Sequence, residues 1–170
     1  MAYTLVVVLL VASTLVPGGT RPLAAQSRAP RAAVPRLLMA IARSDLSFGT
    51  VLAGIPSTVE VHDPRHAGLF EIQGPADGSV RVDFILPTAL ATTGGALLPV
   101  QFVYRDGFAD FSMGRPPRGV YFDPHTPLVS TLGPNGRLFV HLGGTALPGL
   151  PQTSGIYRAT IYLTVYDLGS

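Results

Sequence analysis

The sequence predicts an all-β protein, an immunoglobulin-like antiparallel β-sandwich of seven or eight strands. Three observations carry that prediction. Residues 155–166 alternate: Tyr157, Ala159, Ile161, Leu163 and Val165 share one side, and Arg158, Thr160, Tyr162, Thr164 and Tyr166 share the other. A strand sends successive side chains to opposite faces, so this stretch builds one apolar face and one polar, aromatic face. Shorter apolar runs recur upstream, separated by many of the 19 glycines and 16 prolines, as in sheets joined by tight turns. No helical period is visible after Ala42.

Composition narrows the chemistry. A chain of 170 residues, 47% hydrophobic, supports one domain with an ample core. Cysteine is absent, which excludes a disulfide framework, a thiolate zinc site and a cysteine nucleophile. All 12 basic residues are arginine, so Schiff-base and P-loop lysine chemistry are excluded too. The net charge of +2 hides an asymmetry: from Asp45 onward 7 arginines face 10 acids, 7 − 10 = −3. The positive charge sits in the N-terminal part, at Arg28, Arg31, Arg36 and Arg43. A nucleic-acid domain would carry it on the folded face among aromatics, so no nucleic-acid partner is expected.

Residues 5–16 form an apolar run ended by Pro17-Gly18-Gly19. The run is short for a membrane span and reads as a signal-peptide core, with residues 1–25 removed after Leu23-Ala24-Ala25. The expected location is therefore outside the inner membrane of a bacterium, secreted or on the cell surface, with no stable span after cleavage. Residues 26–44 form a basic segment rich in proline and alanine. Within it Leu37, Met39 and Ile41 alternate as an edge strand, or as a segment that adds to the sheet of a neighbouring copy, would require.

From Asp45 the strands follow at regular spacing, in a β-sandwich domain of residues 45–170. Residues 46–52 read as the first, with Gly49 at a bulge. Residues 58–62 alternate cleanly, and residues 62–66 form a polar turn. Residues 69–73 are the next strand. Residues 79–86 place Val80, Val82, Phe84 and Leu86 on one face until Pro87 ends the ladder. Residues 97–104 are a strand interrupted by Pro99. Residues 105–127 are irregular, with a short strand at 119–122. Gly133-Pro134-Asn135-Gly136 contains the Asn-Gly pair of a tight hairpin. Residues 137–142 return, Gly143-Gly144-Thr145 bends the chain, and residues 155–166 close the domain.

Four stretches, taken together, resemble a family. Leu46-Ser47-Phe48-Gly49-Thr50-Val51-Leu52-Ala53-Gly54 is similar to the opening motif of the secreted bacterial family called "domain of unknown function 4402". The spacing of Phe70, Gly74 and Pro87, then Leu142-Gly143-Gly144-Thr145, then Gly155 and Tyr157 with Leu163-Thr164-Val165-Tyr166, resemble its middle and end. The resemblance spans about residues 34–168. It implies an exported β-sandwich similar to fimbrial subunits and adhesin modules, without enzymatic activity. Residues 105–127 read as an enlarged insertion on that pattern.

Candidate sites are few. His62, Asp63 and His66 have the residue types of a metal site, but structural zinc needs four ligands and a solvated turn explains them as well. Asp106, Asp110, Asp123 and His125 are too few for calcium, which takes six to eight oxygens. Asp106 and Asp110 match a glycosidase pair in residue type alone. No Gly-x-Ser-x-Gly elbow occurs for a hydrolase. Tyr104, Phe108, Phe111, Tyr121 and Phe122 form either an aromatic platform for a ligand or core filling. No cofactor is expected. The expected function is a non-enzymatic structural or adhesive surface protein that assembles by β-strand addition, with copies of itself or other surface and fimbrial subunits as partners. The alternative is a secreted carbohydrate- or metal-binding module using residues 105–127.

Overall fold

The computed structural model describes residues 37–111 and 119–169, together with the backbone of residues 4–7. The signal-peptide reading of residues 1–25, apart from that short backbone, and residues 26–36 of the basic segment lie outside the described residues.

The described chain is all-β. Its strands are β1 (Thr4–Val7), β2 (Met39–Ser44), β3 (Ser57–Val59), β4 (Gly68–Gln73), β5 (Ser79–Ile85), β6 (Ala89–Ala91), β7 (Leu97–Gln101), β8 (Gly107–Asp110), β9 (Gly119–Phe122), β10 (Leu128–Thr131), β11 (Arg137–Leu142), β12 (Gly144–Ala146) and β13 (Thr160–Gly169). Three sheets result, in the orders β1-β13-β5-β10, β2-β4-β11-β8-β9 and β3-β12-β7-β6. Every pairing is antiparallel except β1 with β13.

Alternation sets the core. Val80 and Val82 of β5, with Ile161, Leu163 and Val165 of β13, point inward from the first sheet. Phe70 and Ile72 of β4, Leu138, Val140 and Leu142 of β11, and Phe122 of β9 meet them from the second. Phe84 joins the two, 5.6 Å from the Phe70 ring and 6.3 Å from that of Phe122. Such burial stabilises by roughly 1.5–3 kcal/mol per large apolar side chain. Val59, Leu90, Leu98, Val100 and Ala146 extend the same core along the third sheet.

The strands outnumber the seven or eight expected because short ones such as β6, β8 and β10 pair where none was expected, and because one run is broken. β11 and β12 are one run interrupted at Gly143, where a Cβ would lie 2.4 Å from the Val59 carbonyl oxygen. Only a residue without a side chain lets the chain turn from the second sheet into the third there. The backbone of Arg158 likewise bonds to Ala91, tying the start of the final strand to β6.

Three expectations change. Residues 46–52 form no strand; Leu46 and Phe48 reach the core from an irregular segment held by the Ser47 amide donating to the His66 carbonyl at 2.8 Å. Apolar spacing measured burial there, not ladder pairing. Residues 105–127 hold one strand more than the expected one at 119–122: β8 and β9 pair from Gly107↔Phe122 to Asp110↔Gly119 and finish the five-stranded sheet. The Asn135-Gly136 turn closes locally, with the Gly133 amide donating to the Arg137 carbonyl at 2.9 Å. Its flanking strands then part, β10 pairing with β5 and β11 with β4 and β8. Of the two turn residues only Gly136 has positive φ.

Candidate functional site

Two places gather functional groups: the outer face of the five-stranded sheet, and the long strand β13, whose outer side carries only β1 among the described residues.

On the outer face, register aligns Ile41, Glu71, Phe139 and Asp110 across β2, β4, β11 and β8. Both acids are buried at 2% exposure, an uncommon place for a charge. Glu71 is held by the Arg43 Nε at 2.7 Å and the Gln73 Nε2 at 2.7 Å, with the Arg137 Nε at 3.4 Å. Burial opposes its ionisation most strongly. The hydrogen bonds from Arg43 and Gln73 and the charges of Arg43 and Arg137 together outweigh it and keep the carboxyl below the ordinary range. With each carboxylate oxygen engaged by a donor, the group reads as a clamp between β2, β4 and β11.

The next row aligns His141, Phe108 and Tyr121. Phe108 sits in the middle: its ring centroid is 4.5 Å from His62, 5.0 Å from Tyr121 and 6.0 Å from His141, all edge-on. The Tyr121 hydroxyl and the His62 Nε2 share a hydrogen bond of 2.9 Å. Arg105, in the left-handed region at φ 77, lays its guanidinium 4.3 Å from the Tyr121 ring centroid. His141 is disfavoured as a cation, chiefly by burial and then by His62, with Asp110 opposing.

This geometry separates the candidate metal residues. Asp63 Oδ2 binds His66 Nδ1 at 2.8 Å and Oδ1 accepts the Arg65 amide at 2.9 Å, while His62 turns to Tyr121. The amide of Arg65 and the ring of His66 hold the Asp63 carboxyl below its ordinary value. Asp106 accepts the Val103 amide at 2.8 Å, Asp123 accepts the His125 amide at 2.9 Å, and the His125 ring meets the Phe102 carbonyl at 3.1 Å. Among the described residues no three such side chains converge as a metal site would require. Of the aromatic platform, Phe108 is buried at 3% and Phe122 lies in the core, while Phe111 and Tyr104 are exposed.

The edge is simpler. β13 is a ten-residue strand. Along one side it pairs with β5 from Tyr162↔Ile85 to Asp167↔Val80. Along the other, among the described residues, only β1 meets it, parallel, from Thr4↔Thr160 to Val7↔Leu163. The inner side chains Ile161, Leu163 and Val165 are buried, and Tyr162, Tyr166 and Leu168 are exposed. Leu37, Met39 and Ile41, the sequence's strand-addition segment, lie on or just before β2, whose residues Met39–Ala42 pair within the chain's own sheet against β4. The place of β13 emerges only with the topology; a long final strand is legible in the sequence, its position next to the sheet's end is not. No protein-family model matches the chain, and no curated protein matches it.

Proposed function

We propose that the chain is an exported, non-enzymatic structural or adhesive surface protein that assembles by β-strand addition, with β13 as the acceptor edge. One observation carries the reading. The longest strand has only β1 outside it in its sheet, over Thr160–Leu163, and β1 comes from the stretch that reads as a cleavable leader, whose removal would leave β13 at the sheet's end. Unpaired backbone N–H and C=O groups along such a strand are a template for another strand. Native edges are blunted by short length, lysine, proline or inward charge; between Thr160 and Tyr166 there is no charge and no proline. A role for residues 37–41 as donor requires β2 to exchange its seat on β4 with another copy. The ligand-module alternative draws less support, because Phe108 is buried and the ring and hydroxyl of Tyr121 are already engaged.

The test is direct. The full chain is expressed in an exporting bacterial host, and the product's N-terminus and sedimentation mass are measured. The reading expects a product beginning at Gln26 that associates as concentration rises. An N-terminus still at Met1, or a monomer at every concentration, contradicts it.

A further inference from the structure

We infer that the partner strand at this edge is β13 of a second copy, paired antiparallel about a two-fold axis through Leu163. This rests on the strand-addition reading above and names its partner. In the full chain β1 covers Thr160–Leu163, so the edge opens only when the leader is removed, and the structure then delimits it. At one end the Arg158 backbone is bonded to Ala91, and at the other the register slips between Asp167 and Gly169. The regular, uncharged stretch is Thr160 to Tyr166.

Symmetry then restricts the register. A two-fold axis normal to the sheet maps each face onto itself, so opposed residues must share a face. With the axis at Leu163, Ile161 opposes the second copy's Val165 and Leu163 opposes its twin, extending the apolar face. On the outer face Thr160 opposes Tyr166 and Tyr162 opposes Thr164, pairings of aromatic with β-branched side chains that favour sheets. Moving the axis to Thr164 sets Asp167 against Ile161 on the apolar face. Moving it to Tyr162 sets Val165 and Tyr166 against Ala159 and Arg158, which lie outside the strand. Only the Leu163 register keeps the whole regular stretch paired and both charges outside it. The result joins β10, β5 and β13 of each copy into one continuous sheet, and pairing closes the edge in a dimer instead of extending it into a fibre.

The chain has no cysteine, so introduced thiols report proximity cleanly. Exported protein carrying Tyr162→Cys is mixed with protein carrying Thr164→Cys under mild oxidation, and Thr160→Cys with Tyr166→Cys in a second pair. Val129→Cys on β10, at the sheet's other edge, is the control. At least tenfold more disulfide dimer in each mixed pair than in the control is expected, with wild-type protein sedimenting as a dimer. Wild-type association without cross-linking in either pair overturns this inference and leaves strand addition elsewhere standing. A wild-type monomer throughout overturns both.

Discussion

Replacing Arg43 by alanine should weaken the fold through Glu71. Arg43 lies on the edge strand β2, and its guanidinium bonds a carboxylate that is 2% exposed at the centre of β4. A hydrogen bond to a charged group contributes about 1.5–3 kcal/mol. The Arg43 side chain is about half exposed, at 47%, so screening by water lowers the expectation to about 1–2 kcal/mol. Gln73 and Arg137 remain on the other oxygen, so Glu71 is not orphaned and the full penalty for breaking a buried ion pair, about 3–5 kcal/mol, is not reached. The assay is urea unfolding of wild type, Arg43→Ala, Glu71→Gln and the double variant, from which a double-mutant cycle isolates the pair. Acidity gives a second readout. The Glu71 carboxyl is held below its ordinary 4.5, so the unfolded chain takes up its proton first. Its contribution is complete above that value and drains as pH falls through the lower folded-state value. The stability gap between wild type and Glu71→Gln should therefore narrow on acidification below about pH 4.5. A coupling near zero, or a gap that widens with acid, refutes the clamp.

Other substitutions test neighbouring parts. Phe108→Ala should cost about 3–5 kcal/mol, because the ring is buried among His62, Tyr121 and His141; a well-folded variant with unchanged thermal midpoint would return Phe108 to the surface-platform reading. Gly143→Ala should destabilise by about 1–3 kcal/mol or more, since the Cβ meets backbone that cannot yield; calorimetry checks it. His141 is held neutral by burial, so the unfolded chain binds its proton at higher pH; stability should begin to fall as pH drops below the ordinary 6.5, and His141→Gln should flatten that limb in pH-dependent melts.

What the sequence made legible followed from periodicity. Alternation in residues 79–86 and 160–166 marks β5 and β13 and their buried sides, and Pro87 marks where β5 must stop; residues 155–159 alternate too yet lie outside the strand, with only Arg158 in an isolated bridge to Ala91. The irregular segment around Leu46 and Phe48 shows the limit: a core side chain need not sit on a ladder, and only partner strands distinguish the two. β6, β8, β10 and β12 are short, with Gly107 and Gly144 opening two of them, so each lacks the length that alternation needs to stand out. Asp110 reads as a loop acid and Glu71 carries no signal of its own in the sequence; their burial arises from neighbours far along the chain. His62 and His66 lie close in sequence, yet their partners pull them apart, because a turn fixes backbone spacing and leaves ring direction to tertiary contacts.

Hydrogen–deuterium exchange of the exported protein, followed across a concentration series, tests most directly the proposal that leader removal opens the β13 edge. Backbone amides of Thr160–Tyr166 should gain protection as concentration rises, while those of β2, β9 and β10 stay unchanged. Protection of β13 that is complete at the lowest concentration, or a concentration effect confined to another edge, would contradict the account.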